Sequence, residues 1–183
     1  MVREIIAYTD GSASVAGSMK GYSGFGTYFP DLFGRKKAFS LGFEQGKTGE
    51  MEVLALYFAL KQMPIGSLER VNLTVYSDSE YVVKTFTENR LRKWEKNGWK
   101  NTSGEVANKQ LWIKIYNLLK SSPKLKLEMI HIRSHQVEKE KNPVRKKMLM
   151  ENPHIIGNLM ADKLADYKRH SNRLLNVGCL EIG

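Results

Sequence analysis

Apolar residues along this chain come in short blocks, and their spacing sorts them into strands and helices. Ile5, Ile6, Ala7, Tyr8 and Thr9 form a β-favouring run that meets Asp10-Gly11-Ser12, a turn signal, so the pattern predicts a buried strand ending in an acidic turn. From Gly21 to Gly26 glycine alternates with aromatic and small residues, then leads through Thr27, Tyr28 and Phe29 to Pro30, which predicts a second strand. Lys36 to Phe43 makes a third, set off by Pro30-Asp31 and Gly34 at hairpin spacing. Thr48 to Met63 consists of strong helix formers, with Thr48 placed to cap the helix and Pro64 and Gly66 to close it. Apolar residues surround this helix almost completely, so it belongs in the interior.

Val71 to Ser77 is a fourth strand that again runs into an acid, in Ser77-Asp78-Ser79, and Ser77 or Asp78 is placed to cap a helix through Tyr81, Val82, Val83 and Phe86. Strand followed by helix implies a parallel crossover. Glu105 to Leu119 has helical periodicity in Val106, Leu111, Trp112, Ile115, Leu118 and Leu119, and Leu125 to Ile132 is a fifth strand. Between Gln136 and Pro153 the pattern dissolves into charges and two prolines. A last helix runs from about Ile156 to Arg169 with Leu159, Met160, Leu164 and Ala165 inward, and Val177 to Ile182 forms a small strand-like tail. The order predicts an α/β fold: a mixed five-stranded sheet, three antiparallel strands then parallel additions, flanked by helices.

With 183 residues the chain fits one domain, 1–183, with no further binding domain expected at either end. Lysine and arginine total 29 against 19 acids, a net charge of +10, which points to a polyanionic partner such as nucleic acid. The single cysteine, Cys179, excludes an internal disulfide and a cysteine-based zinc site, so the chain reads as intracellular and cytoplasmic. Its longest apolar run, Val53 to Leu60, falls well short of the ~20 residues that span a bilayer, and Asp10 interrupts the first apolar stretch before a secretory signal could form. No membrane partner is expected.

Candidate chemistry lies where acids fall in apolar surroundings, because a buried carboxylate needs something to neutralise it. Asp10 and Asp78 end hydrophobic strands, Glu52 sits inside the most apolar helix, and Asp162 lies on the last helix. If the first and fourth strands are neighbours, these acids converge at one sheet edge. Taken singly, Asp10-Gly11 reads as a turn, Asp78 as a helix cap and Asp162 as a solvated helix residue; together they repel one another unless divalent cations lie between them. Hard oxygen ligands suit Mg²⁺, with Mn²⁺ as substitute, and two such ions form a site for in-line phosphodiester hydrolysis.

The strings Tyr8-Thr9-Asp10-Gly11-Ser12, Glu50-Met51-Glu52, Ser77-Asp78-Ser79-Glu80-Tyr81-Val82 and Gly157-Asn158-Leu159-Met160-Ala161-Asp162-Lys163-Leu164-Ala165 resemble the four signatures of cellular, bacterial-type ribonuclease H, in the family's order. Lys93-Trp94, Asn97-Gly98-Trp99-Lys100 and Gln110-Leu111-Trp112 look like its basic protrusion and the helix that follows. The resemblance implies a ribonuclease H-like fold and a monomeric endonuclease that cuts the RNA strand of RNA–DNA hybrids, leaving 3′-hydroxyl and 5′-phosphate ends. It makes Asp10, Glu52, Asp78 and Asp162 catalytic metal ligands. Glu50 rivals Glu52, but Glu52 follows the methionine as in the family motif; Asp166 rivals Asp162, but the Asn-x-x-x-Asp-x-Leu-Ala pattern selects Asp162. His135, which composition alone would leave as surface decoration, matches the family's loop histidine, an auxiliary base or proton shuttle.

The basic segment of about 89–103 interleaves cations with tryptophans, so Lys93, Trp94, Lys96, Trp99 and Lys100 are candidates for substrate binding, with at least one tryptophan a packing anchor. The chain departs from the family in two places. Thr48-Gly49 stands where asparagines usually precede the Met-Glu pair, and these two residues are the candidate readers of a 2′-hydroxyl or phosphate. The segment of about 136–155 is longer than the family's loop and reads either as a solvated loop or as a lid or clamp on the hybrid. Rival functions are a related metal-dependent nuclease acting on duplex DNA or duplex RNA, and a non-catalytic nucleic-acid-binding module.

Overall fold

The computed structural model describes residues 2–14, 22–64, 69–170 and 178–180; Gly21, Gly66, Val177, Glu181 and Ile182 of the expectations above lie outside them. Strands β1 (Val2–Ala13), β2 (Ser23–Leu32) and β3 (Arg35–Phe43) pair antiparallel. Strands β4 (Arg70–Ser77) and β7 (Leu125–His131) add in parallel on the other side of β1. This is the expected five-stranded sheet, in the order β3-β2-β1-β4-β7, and a three-residue strand, β8 (Gly178–Leu180), extends it beyond β3. A two-residue hairpin, β5 (Lys100–Asn101) with β6 (Gly104–Glu105), forms a separate small sheet.

The helices are α1 (Thr48–Lys61), α2 (Glu80–Thr87), α3 (Arg90–Lys96), α4 (Lys109–Lys120), α5 (Gln136–Lys139), α6 (Pro143–Glu151) and α7 (Pro153–His170). Alternation along β1 assigns them to the two sides of the sheet. Ile5 and Ala7 join Val53, Leu56, Ala59 and Leu60 of α1, Leu73 and Val75 of β4, and Trp112 and Ile115 of α4 in the main core. Tyr8 points the other way, stacked on Tyr76 with centroids 5.3 Å apart, under the start of α7. As expected, α1 is interior: its other flank, Met51 and Ala55, packs on Phe25. Among the described residues no helix is long and apolar enough to cross a membrane.

Several boundaries differ from the sequence expectation, each for a physical reason. Asp10-Gly11-Ser12 is no turn: β1 runs on to Ala13 because Asp10, Gly11 and Ser12 pair with Gly26, Phe25 and Gly24. The glycines there serve close approach. A Cβ on Gly11 would lie 2.3 Å from the Glu52 backbone nitrogen, and one on Gly26 would lie 2.1 Å from the Ala161 carbonyl, so α1 and α7 reach the sheet only because both positions lack side chains. Thr48 is the first residue of α1 and Lys47 its cap, without a side-chain bond. Ser79, not Ser77 or Asp78, caps α2 by accepting from Val82 N–H. Glu105 pairs in β6, so α4 starts only at Lys109. The segment 136–155, where a loop was an option, contains α5 and α6; Asn142 caps α6 by accepting from the N–H groups of Val144 and Arg145, with Pro143 at its first position.

Candidate active site

Parallel pairing of β1 with β4 sets Thr9 opposite Ser77, and this brings Asp10 beside Asp78, the residue just past the end of β4. The close approach at Gly11 delivers Glu52 from α1 to the same place. One carboxylate oxygen from each of Asp10, Glu52 and Asp78 lies within 4.8 Å of the others. Asp162, on α7, lies close enough to Asp10 for each carboxyl to act on the other. The four acids expected at one sheet edge are therefore brought together, three as a compact group and the fourth through Asp10. Of their rivals, Glu50 lies outside the group, and Asp166 accepts a 2.7 Å hydrogen bond from Ser12 Oγ.

Charge is crowded here. Burial, followed by the charges of Asp78 and Asp162, pushes Asp10 up to about 9, although Gly11 N–H donates to its Oδ1 at 2.8 Å. Burial, then Asp10 and Asp78, holds Glu52 well above the usual carboxylate range. Asp78 and Asp162 are raised by burial as well. Glu52 Oε2 is buried with no hydrogen-bond partner. An all-oxygen donor set, mutual repulsion and an orphaned carboxylate oxygen are what a divalent cation would satisfy, so these residues fit the metal that the sequence calls for.

Histidines stand at the rim. His135, held at φ 54° just before α5, lies with Nδ1 2.8 Å from Glu138 Oε2, and its charge acts on both Asp78 and Asp162 to lower them. His131, which sequence reasoning passed over, lies with Nε2 3.2 Å from the Asp78 carbonyl oxygen. The parallel register of β7 with β4, which sets His131 opposite Ser77, is what brings it there.

Of the other candidates, Thr48 is exposed and Gly49 half-buried at the start of α1, one turn before Glu52. Asn108, also not singled out before, takes φ 57° and donates from Nδ2 to the Gly49 carbonyl at 3.2 Å, tying that turn to α4. Lys93, Lys96 and Lys100 are exposed on α3 and the β5–β6 hairpin. Trp94 is not a surface ring as a substrate contact requires: it is 8% exposed and packs against Trp112 at 5.9 Å. Trp99 is half-buried, edge-on to Tyr116 at 5.8 Å. Both rings anchor the protrusion, because a short cationic segment needs an apolar tether to stand in a fixed place.

Comparison with known proteins agrees with this geometry. The family model described as RNase H matches residues 2–169. The chain belongs to the ribonuclease H family. Ribonuclease H of Acetivibrio thermocellus is 33% identical over 136 residues, covering 73% of this chain and 84% of that protein. Among solved structures, LC9-RNase H1, a type 1 ribonuclease H with the type 2 active-site motif, superposes with a TM-score of 0.70 at 17% identity, covering 100% of this chain and 79% of that one. The foamy viral protease-reverse transcriptase in complex with RNA/DNA hybrid superposes with a TM-score of 0.68 at 22% identity, covering 91% of this chain and 20% of that one. Both solved structures carry the ribonuclease H fold. As a ribonuclease H, the chain is a phosphodiester hydrolase, and its Asp10–Glu52–Asp78 group can hold the divalent metal that the family's chemistry implies.

Proposed function

We propose that the protein cuts the RNA strand of RNA–DNA hybrids endonucleolytically, leaving 5′-phosphate and 3′-hydroxyl ends, as a cytoplasmic monomer whose residues 1–183 act as one domain. The carrying observation is the buried Asp10–Glu52–Asp78 group in a chain of the ribonuclease H family. Its fold relative from foamy virus was solved with an RNA/DNA hybrid, which supports the substrate class. Asp10, Glu52, Asp78 and Asp162 would hold two Mg²⁺ ions, with Mn²⁺ as substitute, which supply a polarised water and charge compensation at the leaving oxygen.

The chain's own residues do the rest. Burial of Asp10 and Glu52 fixes their oxygens before substrate arrives. His135, at the rim and paired with Glu138, is positioned to carry a proton between this group and solvent. Lys93, Lys96, Trp99 and Lys100 of the protrusion hold the backbone of the duplex away from the cut, and Thr48 with the Gly49 backbone lies where a sugar or phosphate would pass α1. Groove width and 2′-hydroxyls are what such a surface can read, so little sequence preference is expected.

End-labelled hybrid, duplex DNA and duplex RNA, each incubated with Mg²⁺, Mn²⁺ or EDTA, test this reading. Cleavage of the hybrid alone, lost with EDTA and in Asp78→Asn, is the expected result. Cleavage of either other duplex at a comparable rate would move the assignment to a related nuclease. Binding without cleavage in any metal would leave a nucleic-acid-binding module.

A further inference from the structure

A cleft of about 600 Å³ opens beside Asp78, within the size range of small-ligand sites and ample for one nucleotide. One wall is His131 and Arg133, at and just beyond the end of β7; the other is Gln136 and Lys139 of α5 with Leu149 of α6. Because Asp78 is part of the lining, the cleft is continuous with the acid group. Helices α5 and α6 lie in the segment 136–155, for which the sequence allows a loop or a clamp.

The far wall is a built feature. Asn142 caps α6 at 3.0 and 3.2 Å, and Val137 and Leu149 pin the two helices to Ile132 and Ile155 in a small satellite core. Every other described residue of α6 is exposed. Arg133 and Lys139 face the cleft, and neither has an ion-pair partner among the described residues. Glu140 also lines the cleft, where it accepts from the Asn142 N–H at 2.8 Å, and Glu138 is held on His135 at the same distance. Two cations without ion-pair partners, an apolar side chain and one carboxylate already tied to a backbone N–H surround a nucleotide-sized space that ends at a phosphodiesterase acid, which matches a segment of nucleic-acid backbone with its sugar.

We propose that this cleft seats the strand being cut at the nucleotide next to the scissile phosphate, with Arg133 and Lys139 clamping the phosphate there. The inference rests on the hybrid as substrate, and it makes α5 and α6 a second wall of the substrate channel.

The test is the double variant Arg133→Ala/Lys139→Ala, read by anisotropy of a labelled short hybrid in EDTA and by steady-state kinetics in Mg²⁺. Affinity should fall about five- to tenfold near 0.1 M salt, and the slope of log affinity against log salt should become shallower by about 1–2, with KM moving more than kcat. Uncharged methylphosphonates placed one at a time along the RNA strand locate the contact. One position should weaken the wild type about fivefold and leave the double variant unchanged. Unchanged affinity and salt slope, or equal losses for both proteins at every position, would overturn the clamp. A general folding defect would lower the unfolding midpoint and weaken all positions alike. Binding is measured without turnover, so a wild type that fails to cut hybrid would defeat the functional reading while the clamp is still decided.

Discussion

Glu52 is 7% exposed and keeps one carboxylate oxygen without a partner, whereas Lys93, Lys96 and Lys100 stand in solvent around a tryptophan that is buried. In the proposed function the acid group and the protrusion both address a phosphate backbone, yet they differ in what they cost the fold. Burying like charges destabilises the chain until cations arrive, so the acid group is tight, strained and intolerant of change. The protrusion carries its charges in water, where each is cheap and replaceable, and relies on Trp94 against Trp112 for position. On the proposed function catalysis depends on a few conflicting charges and binding on several independent ones, so the two regions should respond to mutation in opposite ways.

The acid group should show the largest effect. Glu52→Gln keeps size and removes charge, and is expected to lower kcat by about 10³-fold or more in Mg²⁺ with KM little changed, measured on labelled hybrid. Its stability should move the other way. Asp10 illustrates the sign: its carboxyl titrates near 3.8 unfolded and is pushed up to about 9 in the folded chain. It therefore contributes stability that is full below pH ~4 and is lost progressively as pH rises toward 9. Without divalent metal, the unfolding midpoint should fall between pH 5 and 8. Asp10→Asn should flatten that fall and stabilise the chain by roughly 2 kcal/mol at pH 8 in EDTA. Saturating Mg²⁺ should reverse the order, stabilising the wild type more than the variant. A wild type whose stability ignores both pH and Mg²⁺ would mean the acids are not in conflict.

The protrusion should give a graded response. Lys93→Ala/Lys96→Ala/Lys100→Ala is expected to weaken hybrid binding about 10–100-fold at 0.1 M salt and to reduce the salt slope by about 2, each single variant contributing a part, with the unfolding midpoint unchanged. An all-or-none loss on the first substitution would erase the contrast with the acid group.

The comparison also explains what was legible in the sequence. Acids in apolar strands and helices are conspicuous because burial makes them expensive, so Asp10, Glu52, Asp78 and Asp162 stood out before any coordinates. The five strands and their mixed pairing followed from strand spacing and the crossover, whereas the adjacency of β1 and β4 entered only as a condition. What escaped depends on tertiary proximity, which local pattern does not carry. Gly11 reads as a turn residue until α1 is seen pressed against it, and which tryptophan is the packing anchor is open until Trp112 covers Trp94. The charges of α6 conceal a capped helix because almost all of it is exposed, which leaves no apolar stripe to give it away. His131 became visible only when the register of β4 with β7 set it against Asp78.

His135 stands at the rim of the acid group and should show the smallest effect. It is 45% exposed at the side chain and paired with Glu138, outside the buried group but close enough for its charge to lower Asp78 and Asp162. If it acts as an auxiliary proton carrier, His135→Ala should slow kcat about tenfold, below the ~10²–10⁴ that a principal general base contributes, while KM and the Mg²⁺ requirement stay as in wild type. Glu138→Gln should produce a milder form of the same change, because it removes the partner that orients the ring without removing the ring. The kcat profile against pH separates the roles: losing a proton carrier should change the shape of the profile, whereas a purely structural role would lower the whole profile in parallel. A loss as deep as that of Glu52→Gln would place His135 inside the acid group's chemistry and move the boundary between the two regions outward to α5.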